Sequence, residues 1–245
     1  MTGKIDAFVD CVSPYSYYAT LYLRRNRKAL ESHGVEVEFH PIFLGGVNVG
    51  SGMFSPIEDA RYPQLINYLT GNKPPWTLPA KASYSKFDSE RACKYFGVAP
   101  IKTPDFFPIL SIMFVKPQRC MIYIKRNYPR ERYETTFLSL WEWIYHKNID
   151  ISKPEQLGEL LKTHGYSDKE IKDIITAASS PEYKQALTAN TQAALDQGAY
   201  GAPWFWVRNK EGKEEPFFGS DRFAFMWQYL GLPFQDVSII EKAKL

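Results

Sequence analysis

In the stretch DCVSPYSYY, Asp10 to Tyr18, a serine stands directly before a proline where an apolar run ends and a helical pattern begins. That pair suits a helix start, with serine capping and proline at the first helical position, where its missing N–H is not needed. A capping serine accepts from backbone N–H groups and keeps its own proton free to donate. A hydroxyl at a helix N-terminus can therefore steady a negative charge, helped by the helix dipole. Cys11 lies two residues earlier, but Val12, Ser13 and Pro14 follow it, so there is no Cys-x-x-Cys pair. Dithiol exchange needs two neighbouring sulfurs; a disulfide oxidoreductase using Cys11 is disfavoured, and Cys11 reads as a small buried group at a strand end. If sulfur chemistry happens here, the substrate brings the sulfur.

Three further stretches carry polar groups in suggestive places: GNKPPWTLPAK (Gly71 to Lys81), YGAPWF (Tyr200 to Phe205) and FGSDR (Phe218 to Arg222). Each has an ordinary reading. Asn72, Pro74-Pro75 and Lys81 read as part of one long loop, which the prolines stiffen and in which Lys81 is a solvated lysine. Gly201-Ala202-Pro203 is a turn before a strand. Ser220-Asp221 is a helix cap with an acid in the first turn. No G-x-S-x-G elbow or partner histidine argues for acyl transfer. His33, His40, His146 and His164 lack metal-gathering spacing, so no metal is expected.

The elements that must position these groups follow from periodicity and from proline and glycine punctuation. A strand spans Lys4 to Asp10, and a helix runs from Pro14 to about His33 with Gly34 as its stop. VEVEFH alternates as a strand with one wet face, which fits a sheet edge. From Gly45 to about Pro79 the chain reads as an irregular connection, and from Ser83 to Leu195 as a series of helices. The aromatic run FLSLWEWIY reads as helix core. PWFWVRN and EEPFFG form a hairpin closed around Gly212, with Pro216 pushing the second strand to an edge. A last helix is expected from about Ser220 to Leu230.

This β-α-β, helical block, β-β-α order predicts an α/β fold, a thioredoxin-like mixed four-stranded sheet interrupted by an all-helical insertion. The expected division is 1–48 for the N-terminal half of the sheet domain, 49–190 for the insertion and 191–245 for the C-terminal half.

Composition narrows the partners. Apolar residues at 44% and charged residues at 23% are those of an ordinary globular chain. A formal charge of +3 over 245 residues is too weak to argue for nucleic acid or an anionic membrane surface. There is no apolar run of the ~20 residues a membrane helix needs, and MTGKIDAFVD lacks a secretory pattern. Three cysteines with no short pairing interval point to reduced thiols. The final Ala243-Lys244-Leu245 is similar to a peroxisomal address, with a mitochondrial or cytoplasmic location as the alternative.

Taken in order, the four quoted stretches resemble the kappa-class glutathione transferases, which share a DsbA-like architecture with the 2-hydroxychromene-2-carboxylate isomerases. The resemblance implies glutathione as a co-substrate, a small electrophile as its partner in reaction, and a homodimer. It implies that Ser13 hydrogen-bonds the glutathione sulfur and that Tyr15 lines the sulfur pocket. Ala202, before a cis Pro203, would hold the cysteinyl part through main-chain bonds. Ser220 and Asp221 would receive the γ-glutamyl carboxylate and ammonium, with Arg222 orienting Asp221. Asn72 would fix the tripeptide backbone or its glycyl end, and Lys81 would neutralise the glycyl carboxylate. The connection before GNKPP is longer than the family pattern, so substrate preferences do not carry over. A glutathione-dependent isomerase and a non-catalytic glutathione-binding protein stand as alternatives.

Overall fold

The computed structural model describes residues 2–53, 78–106 and 114–235. Asn72, most of the long connection and the C-terminal tripeptide lie outside the described residues. Strands β1 (Gly3–Val9), β2 (Val35–Pro41), β3 (Trp204–Arg208) and β4 (Glu214–Phe218) form one sheet in the order β2-β1-β3-β4. β1 and β2 are parallel, and the other two pairs are antiparallel. A parallel pair needs a crossover, which helix α1 (Pro14–Ser32) supplies. β2 and β4 are the edges, as the wet alternation of VEVEFH and Pro216 predict; Pro216 faces Trp206 in the ladder.

This topology brings distant residues together. β1 and β2 run one way and β3 runs against them, so the loops after β1, after β2, before β3 and after β4 all open at one end of the sheet. Ser13, Ala202-Pro203 and Ser220-Asp221 therefore share that end.

The chain between β2 and β3 holds α2 (Leu44–Asn48), a wide helical turn (Val49–Met53), α3 (Pro79–Phe96), α4 (Val115–Asn127), α5 (Arg130–Tyr145), α6 (Pro154–Thr163), α7 (Asp168–Ala177) and α8 (Pro181–Asp196); α9 (Phe223–Tyr229) follows β4. Three expectations are corrected. The stretch after Gly45 is not irregular throughout, since α2 buries Leu44 and Val47 there. α3 begins at Pro79 rather than Ser83, with proline in its first turn as in α1, so Lys81 sits on a helix and not in the loop. The last helix begins at Phe223 rather than Ser220, and Arg222, not Ser220, is at its N-cap. In addition, α8 runs to Asp196, across the expected boundary after residue 190.

One face of the sheet, with Ile5, Ala7, Val9, Val35, Val37, Phe39, Phe205 and Val207, is buried in the main core with α1, α9 and the insertion. On the other face Phe8 and Trp204 pack with Leu44, Val47 and Ala194. The aromatic run of α5 is core as expected, with Phe137 and Trp141 fully buried.

The insertion also hydrogen-bonds backbone carbonyls at the end of the sheet, two of which, Val9 O and Ser13 O, accept from backbone N–H groups as well. Gln118 Nε2 donates to Val9 O at 3.2 Å and Ile42 O at 2.7 Å. Tyr133 donates to Phe39 O at 3.1 Å, Trp141 Nε1 to Ser13 O at 2.9 Å and Tyr145 to Val12 O at 2.6 Å. A hydrogen bond of this kind contributes about 0.5–1.5 kcal/mol, and together these bonds set where the loop carrying Ser13 lies. Among the described residues no helix is long and apolar enough to cross a membrane.

Candidate functional site

Ser13 is the N-cap of α1, with extended backbone (φ −100°, ψ 114°) and a side chain that accepts from Ser16 N–H at 3.2 Å. Its hydroxyl donates to the carbonyl of Ala202 at 2.9 Å. Both residues are buried, at 5% and 9% exposure. The proton that sequence reasoning leaves free is thus engaged, by the residue that precedes a cis peptide bond to Pro203. Gly219 N–H in turn donates to Pro203 O at 3.1 Å, which places the Ser220–Arg222 turn beside it. Gly219 is required there: its φ is +86°, and a Cβ would meet Asp221 Oδ1 at 2.9 Å. That left-handed step lets the chain turn before the helix starts, so Ser220 lies in a turn and is buried at 4% exposure. Asp221 is exposed and paired with Arg222.

Tyr15 spans the site toward α3. Its hydroxyl donates to Asp88 Oδ2 at 2.6 Å. Burial first, then the Asp88 hydrogen bond and charge, raises its pKa, with Asp221 contributing in the same direction. The Tyr15 hydroxyl is thereby held by a carboxylate. Lys81, in the first turn of α3, is exposed and shares the helical face of Tyr84 and Asp88 through its i, i+3, i+7 spacing. The structure thus gathers Ser13, Tyr15, Ala202, Pro203, Ser220 and Asp221 at one end of the sheet, with Lys81 on the helix that Tyr15 reaches.

Sequence reasoning missed the groups that hold this end in place. Asp10, within the opening motif, is 1% exposed and accepts from Val12 N–H at 3.0 Å and Leu44 N–H at 2.6 Å. It ties the turn before α1 to the start of α2. Its place three residues before a capping serine was the available signal. Trp141 and Tyr145, one turn apart on α5, gave no such signal, because their partners are backbone carbonyls far away in the chain.

Burial pushes the Asp10 carboxyl up to about 6, against the two backbone N–H groups that lower it. The folded value lies above the ordinary 3.8, so this group favours folding most at low pH, and that contribution is lost as pH rises through about 6. The loss amounts to about 3 kcal/mol. Relative to Asp10→Asn, whose side chain does not titrate, the wild type should lose about 2.4 kcal/mol of unfolding free energy between pH 4 and pH 7. Urea titrations at the two pH values measure this, and a difference that does not change with pH would refute it.

The thiols are not poised for attack. Cys11, Cys93 and Cys120 are all free and buried. Burial first and then the neighbouring Asp10 charge push the Cys11 thiol well up, and burial pushes Cys120 to about 12. A second polar cluster lies on the sheet itself. Asp6, Glu38 and His40 offer ligand atoms within 4.8 Å of one another, a grouping that histidine spacing did not suggest. Ammonium groups occupy the same carboxylates: Lys4 lies 2.8 Å from Asp6 and 2.9 Å from Glu38, and Lys125 lies 2.6 Å from Glu38. Burial opposes ionisation of Glu38, but Lys125 and Lys4 outweigh it and hold its carboxyl at about 2. The cluster is internally neutralised.

A mixed four-stranded sheet with a helical insertion, and a capping serine with no Cys-x-x-Cys pair at the start of the first helix, define a thioredoxin-type chain without a dithiol there. The chain belongs to the DSBA-like thioredoxin domain family, whose model matches residues 4–231. It is 28% identical over 237 residues to glutathione S-transferase kappa 1 of Caenorhabditis elegans, covering 94% of this chain and 92% of that protein. It is 26% identical over 231 residues to glutathione S-transferase kappa 1 of Homo sapiens, covering 93% and 90%. Among solved structures, a 2-hydroxychromene-2-carboxylate isomerase superposes with a TM-score of 0.69 at 16% identity, over 93% of this chain and 94% of that one; this likeness concerns the fold.

Proposed function

We propose that this protein is a glutathione transferase of the kappa type. The observation that carries the reading is the buried Ser13 hydroxyl, fixed as helix cap at the N-terminus of α1 and one hydrogen bond from the Ala202 main chain. The names of the relatives, similar over nearly the whole chain, support the same assignment.

In this reading glutathione lies across the end of the sheet. The Ala202 main chain pairs with its cysteinyl residue, and the turn at Ser220 and Asp221 receives its γ-glutamyl end. Lys81 and Asn72 serve the glycyl end. Ser13 donates its proton to the sulfur. A donor that binds only the charged form favours thiolate over thiol, and the positive end of α1 acts in the same sense. The thiol proton leaves to solvent, and the thiolate forms a carbon–sulfur bond with a small electrophile. The electron pair of the bond broken at carbon leaves with the displaced group, or moves onto the acceptor where the electrophile is an activated alkene. Serine stabilises charge and never becomes covalently bonded.

The test is ultraviolet difference spectroscopy of glutathione on the wild-type protein at neutral pH. A thiolate band on binding is expected. Tight binding without that band would identify a non-catalytic glutathione-binding protein instead. Conjugation without isomerisation of a chromene carboxylate would then separate the transferase from the isomerase reading.

A further inference from the structure

We propose that, in the free protein, the Ser13 proton is locked onto the Ala202 carbonyl, and that the amide N–H of an incoming peptide thiol releases it. The site would then ionise thiols that carry an amide N–H beside the cysteinyl carbon, and discriminate against simple thiols with the same sulfur. This rests on the reading of Ser13 as the donor to the glutathione sulfur.

The argument is a count of donors and acceptors. A serine hydroxyl has one proton, and here that proton is given to Ala202 O at 2.9 Å. The oxygen meanwhile accepts from Ser16 N–H at 3.2 Å, so the hydroxyl is used in both directions. For the proton to reach a sulfur it must rotate about the Cβ–Oγ bond, which leaves the oxygen and its capping bond in place. Rotation alone abandons the carbonyl of Ala202, a buried residue. A buried acceptor without a donor costs about as much as the new hydrogen bond gains, so a bare thiol has little with which to drive the exchange. A ligand amide N–H arriving at Ala202 O removes that cost. Once the carbonyl has another donor, the thiolate is the stronger acceptor for the hydroxyl, because hydrogen bonds to a charged group are the stronger kind. Docking of the peptide backbone and ionisation of its sulfur become one coupled event.

The test uses the full chain with glutathione and with its ester analogue, in which oxygen replaces the N–H of the γ-glutamyl–cysteinyl link. Thiolate absorbance is followed against pH at saturating ligand. The ester should show a thiolate-to-thiol ratio about tenfold below that of glutathione. Equal ratios would overturn the proposal. S-methylglutathione, which has no thiol to ionise, gives a second measurement that does not need the ester to saturate. It should bind Ser13→Ala at least as tightly as wild type, up to about tenfold tighter, because the carbonyl no longer has to be freed. Binding to Ser13→Ala that is severalfold weaker would also overturn it. The two readings fail differently. If Ser13→Ala leaves the glutathione thiolate ratio unchanged, Ser13 is not the donor and the proposed function of that residue falls. If Ser13→Ala lowers the ratio while the ester matches glutathione, only the coupling falls.

Discussion

At saturating glutathione, replacing Ser13 by alanine should slow conjugation about tenfold at pH 6 and speed it severalfold at pH 9, with glutathione affinity little changed at pH 6 and weakened at pH 9. The crossover follows from two opposed effects of the same hydrogen bond. A charge-assisted bond is worth about 1.5–3 kcal/mol. At the upper end this lowers a thiol pKa by ~2, from ~8.5 to ~6.5. At pH 6 the wild type then holds roughly 75 times more thiolate than the variant. A thiolate of lower pKa is also a weaker nucleophile, and a Brønsted slope of about 0.45 returns roughly eightfold of that advantage. The net gain is about tenfold at pH 6. At pH 9 both sulfurs are largely ionised, and the more basic one in the variant reacts roughly six times faster. The measurement is kcat/KM for the electrophile, at saturating glutathione, against pH for both proteins. A loss of the same size at every pH would mean that Ser13 acts other than on the sulfur's ionisation. Because Ser13 also caps α1 and donates to the Ala202 carbonyl, the variant should lose about 2–4 kcal/mol of stability, which urea unfolding separates from the kinetic effect.

Glu134→Ala should cost about 3–5 kcal/mol of unfolding free energy, while Arg27→Met combined with Glu134→Leu should stay within about 1 kcal/mol of wild type. Glu134 lies on α5 at 2% exposure, and Arg27 on α1 at 9%. Arg27 Nη2 contacts Glu134 Oε1 at 2.5 Å and Arg24 Nε lies 3.2 Å from Oε2, while Arg27 also donates to Val37 O at 3.0 Å. Burial raises the Glu134 pKa even though both arginines pull it down. Desolvation therefore outweighs the attraction, and the pair contributes little compared with an apolar replacement of both partners. Removing the carboxylate alone is different, since it strands a buried guanidinium. A cost below about 1 kcal/mol for Glu134→Ala would show that this pairing does not hold α1, which carries Ser13, against α5, which carries Trp141.

Much of the architecture could be read directly from local chemistry. Pro14 after Ser13 marks the start of α1, and Gly34, at φ +72°, stands just past its end. Pro216 marks an edge strand, because a residue without an N–H cannot serve both neighbours of a central strand. The same rules misplaced α9. A serine followed by an acid is a cap signal wherever it occurs, and nothing local revealed that Gly219 would turn the chain first. Lys81 was assigned to a loop although Pro79 already carried the mark of a first helical position.

The sequence by itself determined the helix cap, the two edge strands and the lack of a paired thiol, since each depends on residues a few positions apart. Only the tertiary structure decided where the Ser13 proton goes. Its acceptor, the Ala202 carbonyl, is 189 positions away. The carbonyls held by Trp141, Tyr145 and Gln118 belong to distant turns in the same way. A hydrogen bond to main-chain oxygen requires no particular residue at the acceptor, so it leaves no trace in the order of amino acids, and only the packing of the insertion on the sheet determines it.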